Sequence, residues 1–355
     1  MQWDDFVGHE QQRAWFRTAL AHGRMATSFL FVGPSGIGKR TFARLIAKSL
    51  LCRASEPQEL SPCGVCEDCA QVDASTHPDL LEIKKPADKA FLPIELLIGE
   101  REKRMREGLC HDISLKPFAG RRKVAILDDA DTLNNEGANC LLKTLEEPPL
   151  NSVLILVGSS LQRQLPTIRS RCQAIIFQPL FTDQVKQLLL RHQVVTDPEQ
   201  ARLLAHESGG SLTDAGLLAD PELSEFREEL LQMLSKPELP MAELVKSCAS
   251  VVDAAGKEAR VKRERLKLLL RMSGEFYRAM ALYQSSHQEA ELEDAIDGSI
   301  TYLVRRLAQR WKVGVSGAIQ CWNRCLHAME EVDRNANQTA LLEAWAADLA
   351  KEGGY

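Results

Sequence analysis

The stretch that most constrains this chain runs from Phe29 to Thr41. Phe29-Leu30-Phe31-Val32 is an apolar run of strand length. It leads into Gly33-Pro34-Ser35-Gly36-Ile37-Gly38-Lys39-Arg40-Thr41, after which Phe42, Leu45, Ile46 and Leu50 recur at helical spacing. Strand, glycine loop and helix in that order is the context of a P-loop. Glycines let backbone N–H groups turn inward toward phosphate oxygens. The helix N-terminus adds its positive end, and a lysine supplies the cation for the outer phosphates. The pattern marks Gly33, Pro34, Gly36, Gly38 and Lys39 as nucleotide-binding residues. A plain glycine turn leaves Lys39, directly after Gly38, without a reason.

One position departs from the pattern. A Ser or Thr hydroxyl belongs directly after the lysine, on Mg²⁺. Here Arg40 stands there, and the hydroxyl comes one residue later at Thr41. One residue rotates a helix by about 100°, so Thr41 is a poor substitute. Two readings run from this point: an ATPase, and a protein that keeps the ATPase fold for assembly.

The rest of the first half supplies strands and ligands. Leu80–Ile83, Val124–Leu127, Val153–Val157 and Ala174–Phe177 read as strands, the middle ones apolar throughout as buried parallel strands are. Val124–Leu127 runs into Asp128-Asp129, where a P-loop protein places its Mg²⁺ carboxylate. Asp128 is the candidate. A hydrolytic member usually has Glu at the next position to activate water; Asp129 is one methylene shorter. The alternative for both acids is capping of the following helix, Asn134–Glu147. Val153–Val157 ends in Gly158-Ser159-Ser160, hydroxyls at the carboxyl end of the sheet. Residues 1–28 are expected to be an entry segment and an amphipathic helix with Trp15, Phe16, Ala19 and Leu20 on one face, and 94–106 a charged helix.

Cysteine spacing points to a metal. Cys52 is followed by Cys63, Cys66 and Cys69 at two-residue gaps. Four thiolates can close a tetrahedral site on Zn²⁺ and leave no open position, so the role is structural. His77 lies nearby but reads as a loop residue. Ten cysteines and no secretory leader point to a reducing compartment, with the cytoplasm as the expected location. No run is long enough to span a membrane. Net charge is −5, which excludes a global basic field of the kind that gathers nucleic acid.

These motifs together resemble the AAA+ module of bacterial DNA polymerase III clamp-loader subunits. The resemblance covers residues 1–215. It is carried by Val7-Gly8-His9-Glu10, Gly33–Thr41, the cysteine quartet, Leu141-Leu142-Lys143-Thr144-Leu145-Glu146-Glu147-Pro148-Pro149 and Ser170-Arg171-Cys172. Within that family the sequence is most similar to the delta-prime type, related to gamma/tau. The resemblance implies a RecA-like α/β domain with a zinc-binding excursion (1–179, cysteines at 52–69), a helical lid (180–238) and an all-α collar for oligomerisation (239–355). It implies Val7 and Gly8 beside an adenine, Ser159 or Ser160 at the sensor-1 place, and Arg171 as an arginine finger offered to a neighbouring subunit. A guanidinium suits that task because its planar fork meets phosphate oxygens and stays charged. The plain alternative for Arg171 is a surface ion pair. The implied partners are gamma/tau ATPases and the delta subunit, with a sliding clamp and primed DNA reached through the complex.

A further departure follows from the comparison. Where the family's lid carries the sensor-2 arginine, this chain has Gly210-Ser211-Leu212-Thr213-Asp214. Arg40, Asp129 and Thr213 together argue for little or no hydrolysis in this chain's own site. The rivals are an active gamma/tau-type motor and a phosphotransferase, and the second lacks an acceptor site and a lid of arginines. The basic stretch 257–271 is expected to be the outer face of a helix whose Leu266, Leu269 and Leu270 face inward, against the alternative of a contact to DNA phosphates. Residues 296–332 and 338–350 are expected to be helical.

Overall fold

A computed structural model describes residues 1–86, 89, 91–119, 121–285 and 298–355. The chain divides into two compact units, Met1–Thr213 and Asp214–Tyr355.

The first unit is built on five parallel strands: β1 (Ser28–Val32), β2 (Leu80–Ile83), β3 (Lys123–Leu127), β4 (Ser152–Gly158) and β5 (Gln173–Ile176). Their order is β2-β3-β4-β1-β5. The register puts Val32 beside Gly158 and Leu127 beside Leu156. The carboxyl ends of β1, β3 and β4 therefore share one edge, where an open α/β sheet takes its ligand.

The apolar runs alternate between two cores. Phe29, Phe31, Val124, Ile126, Val153, Ile155 and Val157 pack on one face. They meet Phe16 of helix Glu10–Ala21 and Phe42, Ile46 and Leu50 of helix Lys39–Leu51. Leu30, Val32, Ala125, Leu127, Leu154 and Leu156 face the other way, onto Leu97, Leu109, Leu141 and Ile168. A strand buried on both faces needs apolar residues at every position, which is why these runs lack polar alternation. Trp15 departs from the expected inward face. It stands 38 % exposed, with its ring edge on Phe16 and Phe29.

The expected helix over 94–106 is broken. Helix Glu95–Ile98 stops at Gly99, a turn at Arg101–Lys103 follows, and helix Leu109–Ser114 begins after Gly108. Both glycines have positive φ. A Cβ on Gly108 would lie 2.7–2.8 Å from the backbone of 97–99. The charged segment thus folds back on itself at a contact only glycine permits. Helices Thr182–Arg191 and Pro198–Glu207 complete this unit, ahead of helix Leu212–Leu218.

The second unit is helical: Pro221–Leu234, Met241–Ala254, Ala259–Ser285, Gly298–Ala308, Gly314–Asp333 and Gln338–Glu352. Residues 296–297 of the expected helical stretch lie outside the described residues. Trp345, Tyr277, Phe276, Cys321 and Cys325 are fully buried. The Trp345 indole donates to Cys325 Sγ at 3.4 Å, and Tyr355 Oη donates to the Leu234 carbonyl at 2.7 Å.

The basic stretch belongs to this packing. Leu266, Leu269 and Leu270 are buried as expected. Lys262 pairs with Asp253 at 2.6 Å, Arg265 with Asp220 at 3.2 Å and Lys267 with Asp333 at 2.8 Å. Arg271 pairs with Asp214, and Arg263 donates to the Asn335 amide. These cations tie the Ala259–Ser285 helix to neighbouring elements of its own unit.

Candidate functional site: the P-loop edge and the cysteine cluster

β1 ends at Val32, and the loop that follows turns through Gly33, Gly36 and Gly38, each with φ between +78° and +157°. A Cβ on Gly33 would lie 2.3 Å from the Phe177 carbonyl oxygen, and one on Gly36 would lie 2.1 Å from Ser211 Oγ. Leu212 N–H donates to the Gly36 carbonyl at 3.0 Å. The loop is thus clasped on one side by 211–213. Thr213 lies against Gly36 and brings no charge. His9 Nε2 donates to the Ile37 carbonyl at 2.8 Å. His9 is held in the left-handed region at the start of its helix, and burial pushes its pKa down. Gly8, next to it, has φ +87°, and a Cβ there would meet Leu180 at 2.5 Å. Val7 is half-buried beside it.

Lys39 opens the helix after the loop and is 7 % exposed. Its Nζ donates to the Gly33 carbonyl at 2.6 Å and the Pro34 carbonyl at 2.5 Å. Burial pushes its pKa down to about 8, against the upward pull of the Asp131, Asp128 and Asp129 carboxylates. The sequence placed Lys39 and Asp128 in one site. Asp131 and Gln164 were not foreseen. Asp131 Oδ2 accepts from Ser159 N at 2.6 Å, Gln164 donates to the other oxygen, and Gly33 N donates to the Ser159 carbonyl at 3.1 Å. Asp131 therefore fixes the end of β4 against the start of the P-loop. Ser159 Oγ is buried without a hydrogen-bond partner, while Ser160 Oγ accepts from Arg163 N.

Neither acid after β3 caps the next helix. Helix Asn135–Glu146 is capped by Asn134, whose Oδ1 accepts from Gly137 N at 2.8 Å. Asp128 Oδ1 accepts from Asp129 N at 3.1 Å, and Asp129 sits at φ +56° ahead of the short turn Ala130–Thr132. The capping alternative is corrected on this point: the turn Ala130–Thr132, Leu133 and Asn134 intervene before the helix starts.

The carboxylate of Asp128 already has a cation beside it. Arg40 Nη1 lies 3.8 Å from Asp128 Oδ2, and its Nη2 lies 3.5 Å from Glu82 Oε1. Glu82 in turn takes Arg44 at 2.5 Å. The residues around Asp128 do not fit a Mg²⁺ site of the P-loop kind: the position that should bring a hydroxyl brings a guanidinium, and that guanidinium stands beside the ligand carboxylate. Thr41 is half-buried on the same helix, one residue on.

The expected finger, Arg171, is exposed. Its Nε and Nη2 reach Glu146 Oε1 at 2.8 and 2.6 Å, and Nη1 donates to the Thr167 carbonyl at 3.1 Å and Ser170 Oγ at 3.0 Å. The ion pair links two of the motifs that carry the resemblance, the Glu-Glu-Pro-Pro run and the Ser-Arg-Cys triplet.

The four cysteines meet. Their sulfurs lie within 4.8 Å of one another. Cys52–Cys66 is 3.8 Å and Cys63–Cys69 is 4.0 Å. A tetrahedral ion with Zn–S bonds of about 2.3 Å spaces its sulfurs by about 3.8 Å, so the cluster can hold a metal ion. Cys52 is the C-cap of helix Lys39–Leu51, and Cys66 is the N-cap of helix Glu67–Asp73. Burial opposes ionisation of Cys52, but donors from Ser55 Oγ and the backbone N–H groups of Cys63 and Ala54 outweigh it and bring the thiol down to about 6. Metal-bound thiolates accept such donors. Arg121, which sequence reasoning passed over, donates to the carbonyls of Cys52, Ser55 and Arg53 at 2.6, 2.9 and 3.2 Å. His77 stays outside the cluster. Its Nδ1 accepts from Asp79 N, and its Nε2 lies 3.5 Å from Asp68.

Comparison with known proteins agrees with this geometry. The model of the family described as DNA polymerase III, delta subunit, matches residues 8–181. The tau subunit of DNA polymerase III from Escherichia coli is 32 % identical over 224 residues, 62 % of this chain and 33 % of that one. The delta-prime subunit from Bacillus subtilis is 31 % identical over 215 residues, 61 % of this chain and 60 % of that one. The chain thus spans a third of the tau relative's length and under two thirds of the delta-prime relative's. A gamma subunit-related protein of DNA polymerase III from Thermotoga maritima superposes loosely, at 17 % identity and a TM-score of 0.38, over 95 % of this chain and 99 % of that one. Among the described residues no helix is long and apolar enough to cross a membrane. The matched segment holds the P-loop, the cysteine cluster and the Ser-Arg-Cys triplet together, and over it the chain is similar to subunits of DNA polymerase III.

Proposed function

We propose that this chain is a clamp-loader subunit of the delta-prime type. It joins gamma/tau ATPases and a delta subunit, presents Arg171 to the ATP held by its neighbour, and so helps place a sliding clamp on primed DNA in the cytoplasm. Its own P-loop binds nucleotide weakly and does not hydrolyse it. Residues 1–179 form the nucleotide module, 180–238 the lid and 239–355 the collar that assembles. The four cysteines hold a structural Zn²⁺.

The observation that carries the non-hydrolysing part is Arg40 beside Asp128. Asp129 in a left-handed turn and the uncharged Thr213 at Gly36 support it. Arg171 supports the donor role because it is exposed just past a short helix, with Glu146 as its one ion-pair partner and two neutral acceptors in Thr167 and Ser170. A surface pair of this kind is worth about 0.2–1 kcal/mol and yields to a better anion.

A second reading, a gamma/tau-type motor, is favoured by the intact Lys39 and glycines and by the 32 % identity to a tau subunit. Steady-state ATP hydrolysis by the purified chain separates the two: no turnover supports the donor, and turnover lost in Lys39→Ala establishes the motor. In the reconstituted complex, Arg171→Ala should lower ATP hydrolysis by a factor of about 10³ with assembly intact. Loss of assembly instead would leave Arg171 as a structural ion pair.

A further inference from the structure

We propose that Arg40 takes the place of the divalent ion in this P-loop, so that the chain binds a nucleoside diphosphate or triphosphate without Mg²⁺. The inference rests on the reading of the P-loop as a nucleotide site and adds its metal requirement.

A P-loop metal does two things. It neutralises β- and γ-phosphate oxygens, and it links them to the carboxylate at the end of the neighbouring strand. Both jobs need positive charge between phosphate and carboxylate. In this chain that place already holds one. Arg40 directly follows the phosphate lysine, and its guanidinium stands 3.8 Å from Asp128 and 3.5 Å from Glu82. Asp128 closes β3, next to β4 and one strand away from the P-loop strand. Arg44 pairs with the second Glu82 oxygen and also donates to Ser75 Oγ and the Val72 carbonyl. Glu82 is thereby anchored on its far side, and Arg40 is held toward the site instead of solvent alone.

A divalent ion bound to Asp128 Oδ2 at about 2.1 Å would sit within about 6 Å of that guanidinium, where like charges repel in a partly buried site. The hydroxyl that should share the ion is missing at position 40. A guanidinium, by contrast, keeps its charge and offers several N–H donors to phosphate oxygens while one edge stays on the carboxylate. Lys39 and Arg40 then form a consecutive pair of cations at the helix N-terminus, one for each side of the phosphate chain.

The test uses the full-length chain, with ADP and ATP as probes. Titrations are run in excess Mg²⁺ and in Mg²⁺-depleted buffer checked by atomic emission, because a chelator would also strip the cysteine cluster. The proposal expects affinity to change by less than about threefold between the two buffers, and Arg40→Ala to weaken binding by about tenfold, the effect of one charge-assisted contact. Arg40→Thr should bind poorly without Mg²⁺ and recover by about tenfold or more with it. Arg40→Lys, which keeps a cation, controls for folding and should remain insensitive to Mg²⁺. Wild-type affinity that falls tenfold in depleted buffer overturns the substitution while leaving the nucleotide site standing. Metal-independent binding that is unchanged in both Arg40→Ala and Arg40→Thr overturns the role of Arg40. No binding by the wild type in either buffer, with Lys39→Ala alike, overturns both the inference and the reading beneath it.

Discussion

Four thiols converge on one centre in the cysteine cluster, whereas the carboxylate after β3 has a guanidinium beside it. Both sites lie in the first unit, and both derive from a spacing that announces a bound cation. At the cysteines every ligand the spacing promised is delivered, with all four sulfurs within 4.8 Å of one another. At the P-loop edge the lysine, the glycines and the acid converge, but the metal's hydroxyl ligand is replaced by Arg40. The difference teaches that a cation site is decided by the whole ligand shell. One foreign charge in the shell changes what the site can hold, though the fold around it is untouched.

The largest effect expected on this comparison is at the cysteines. Cys66→Ser should abolish stoichiometric metal, since three thiolates and a hydroxyl hold Zn²⁺ far less well than four thiolates. Metal binding is folding free energy for a small excursion such as 52–69. The thermal midpoint of the first unit should therefore fall, and proteolysis should begin between Arg53 and Cys66. Metal content unchanged in the variant would sink the four-cysteine assignment. The same measurement on Asp128→Asn should show no loss of zinc, because that site is separate.

The second effect is a pH dependence confined to the P-loop edge. Burial holds Lys39 down at about 8. A bound phosphate chain keeps it protonated, so above that pH the complex carries one proton more than the free chain. Affinity for ADP is then flat below pH 8 and falls by about tenfold for each pH unit above it. Lys39→Arg should flatten the profile, whatever its absolute affinity, since arginine does not titrate there. A wild-type profile flat to about pH 10 would mean Lys39 keeps its ordinary pKa.

How much of this was legible beforehand follows from how local each signal is. β1, β3 and β4 were readable because strands buried on both faces must be apolar at every position. The cysteine cluster was readable because three ligands lie within seven residues. The pairing of Arg40 with Asp128 was not, since their separation in sequence is closed only by the sheet order. Arg121 was invisible for the same reason. It acts on carbonyls of Cys52, Arg53 and Ser55, and carbonyls leave no mark in side-chain patterns. The basic run at 257–271 was read rightly for its leucines, but its acidic partners Asp214, Asp220, Asp253 and Asp333 come from other elements of the second unit. The charged helix over 94–106 failed on two glycines whose positive φ no periodicity reports.

A smaller effect sharpens the cysteine side of the comparison. Arg121→Ala removes three donors from the turn that carries Cys52 but no ligand. Metal stoichiometry should stay at one, while the rate of zinc loss to a chelator rises by about tenfold, the lower range for partners of metal ligands. Stoichiometry falling with the rate would make Arg121 part of the folding of the excursion itself.

The smallest effect concerns the acids after β3. Asn134 Oδ1 caps helix Asn135–Glu146, so Asn134→Ala should cost about 1 kcal/mol of stability, as loss of an N-cap usually does. Asp129→Ala should cost nothing through capping, because its side chain makes no cap hydrogen bond. Asp129→Gly should even stabilise slightly, since φ +56° is a conformation that glycine adopts without strain. Denaturant melts of the three variants give the comparison directly. If Asp129→Ala destabilised as much as Asn134→Ala, Asp129 would be a structural residue of the turn, and its one-methylene shortfall against glutamate would no longer bear on hydrolysis. If it is neutral, the acid is held at the ligand edge of the sheet for some purpose other than folding, as Asp128 and Lys39 are.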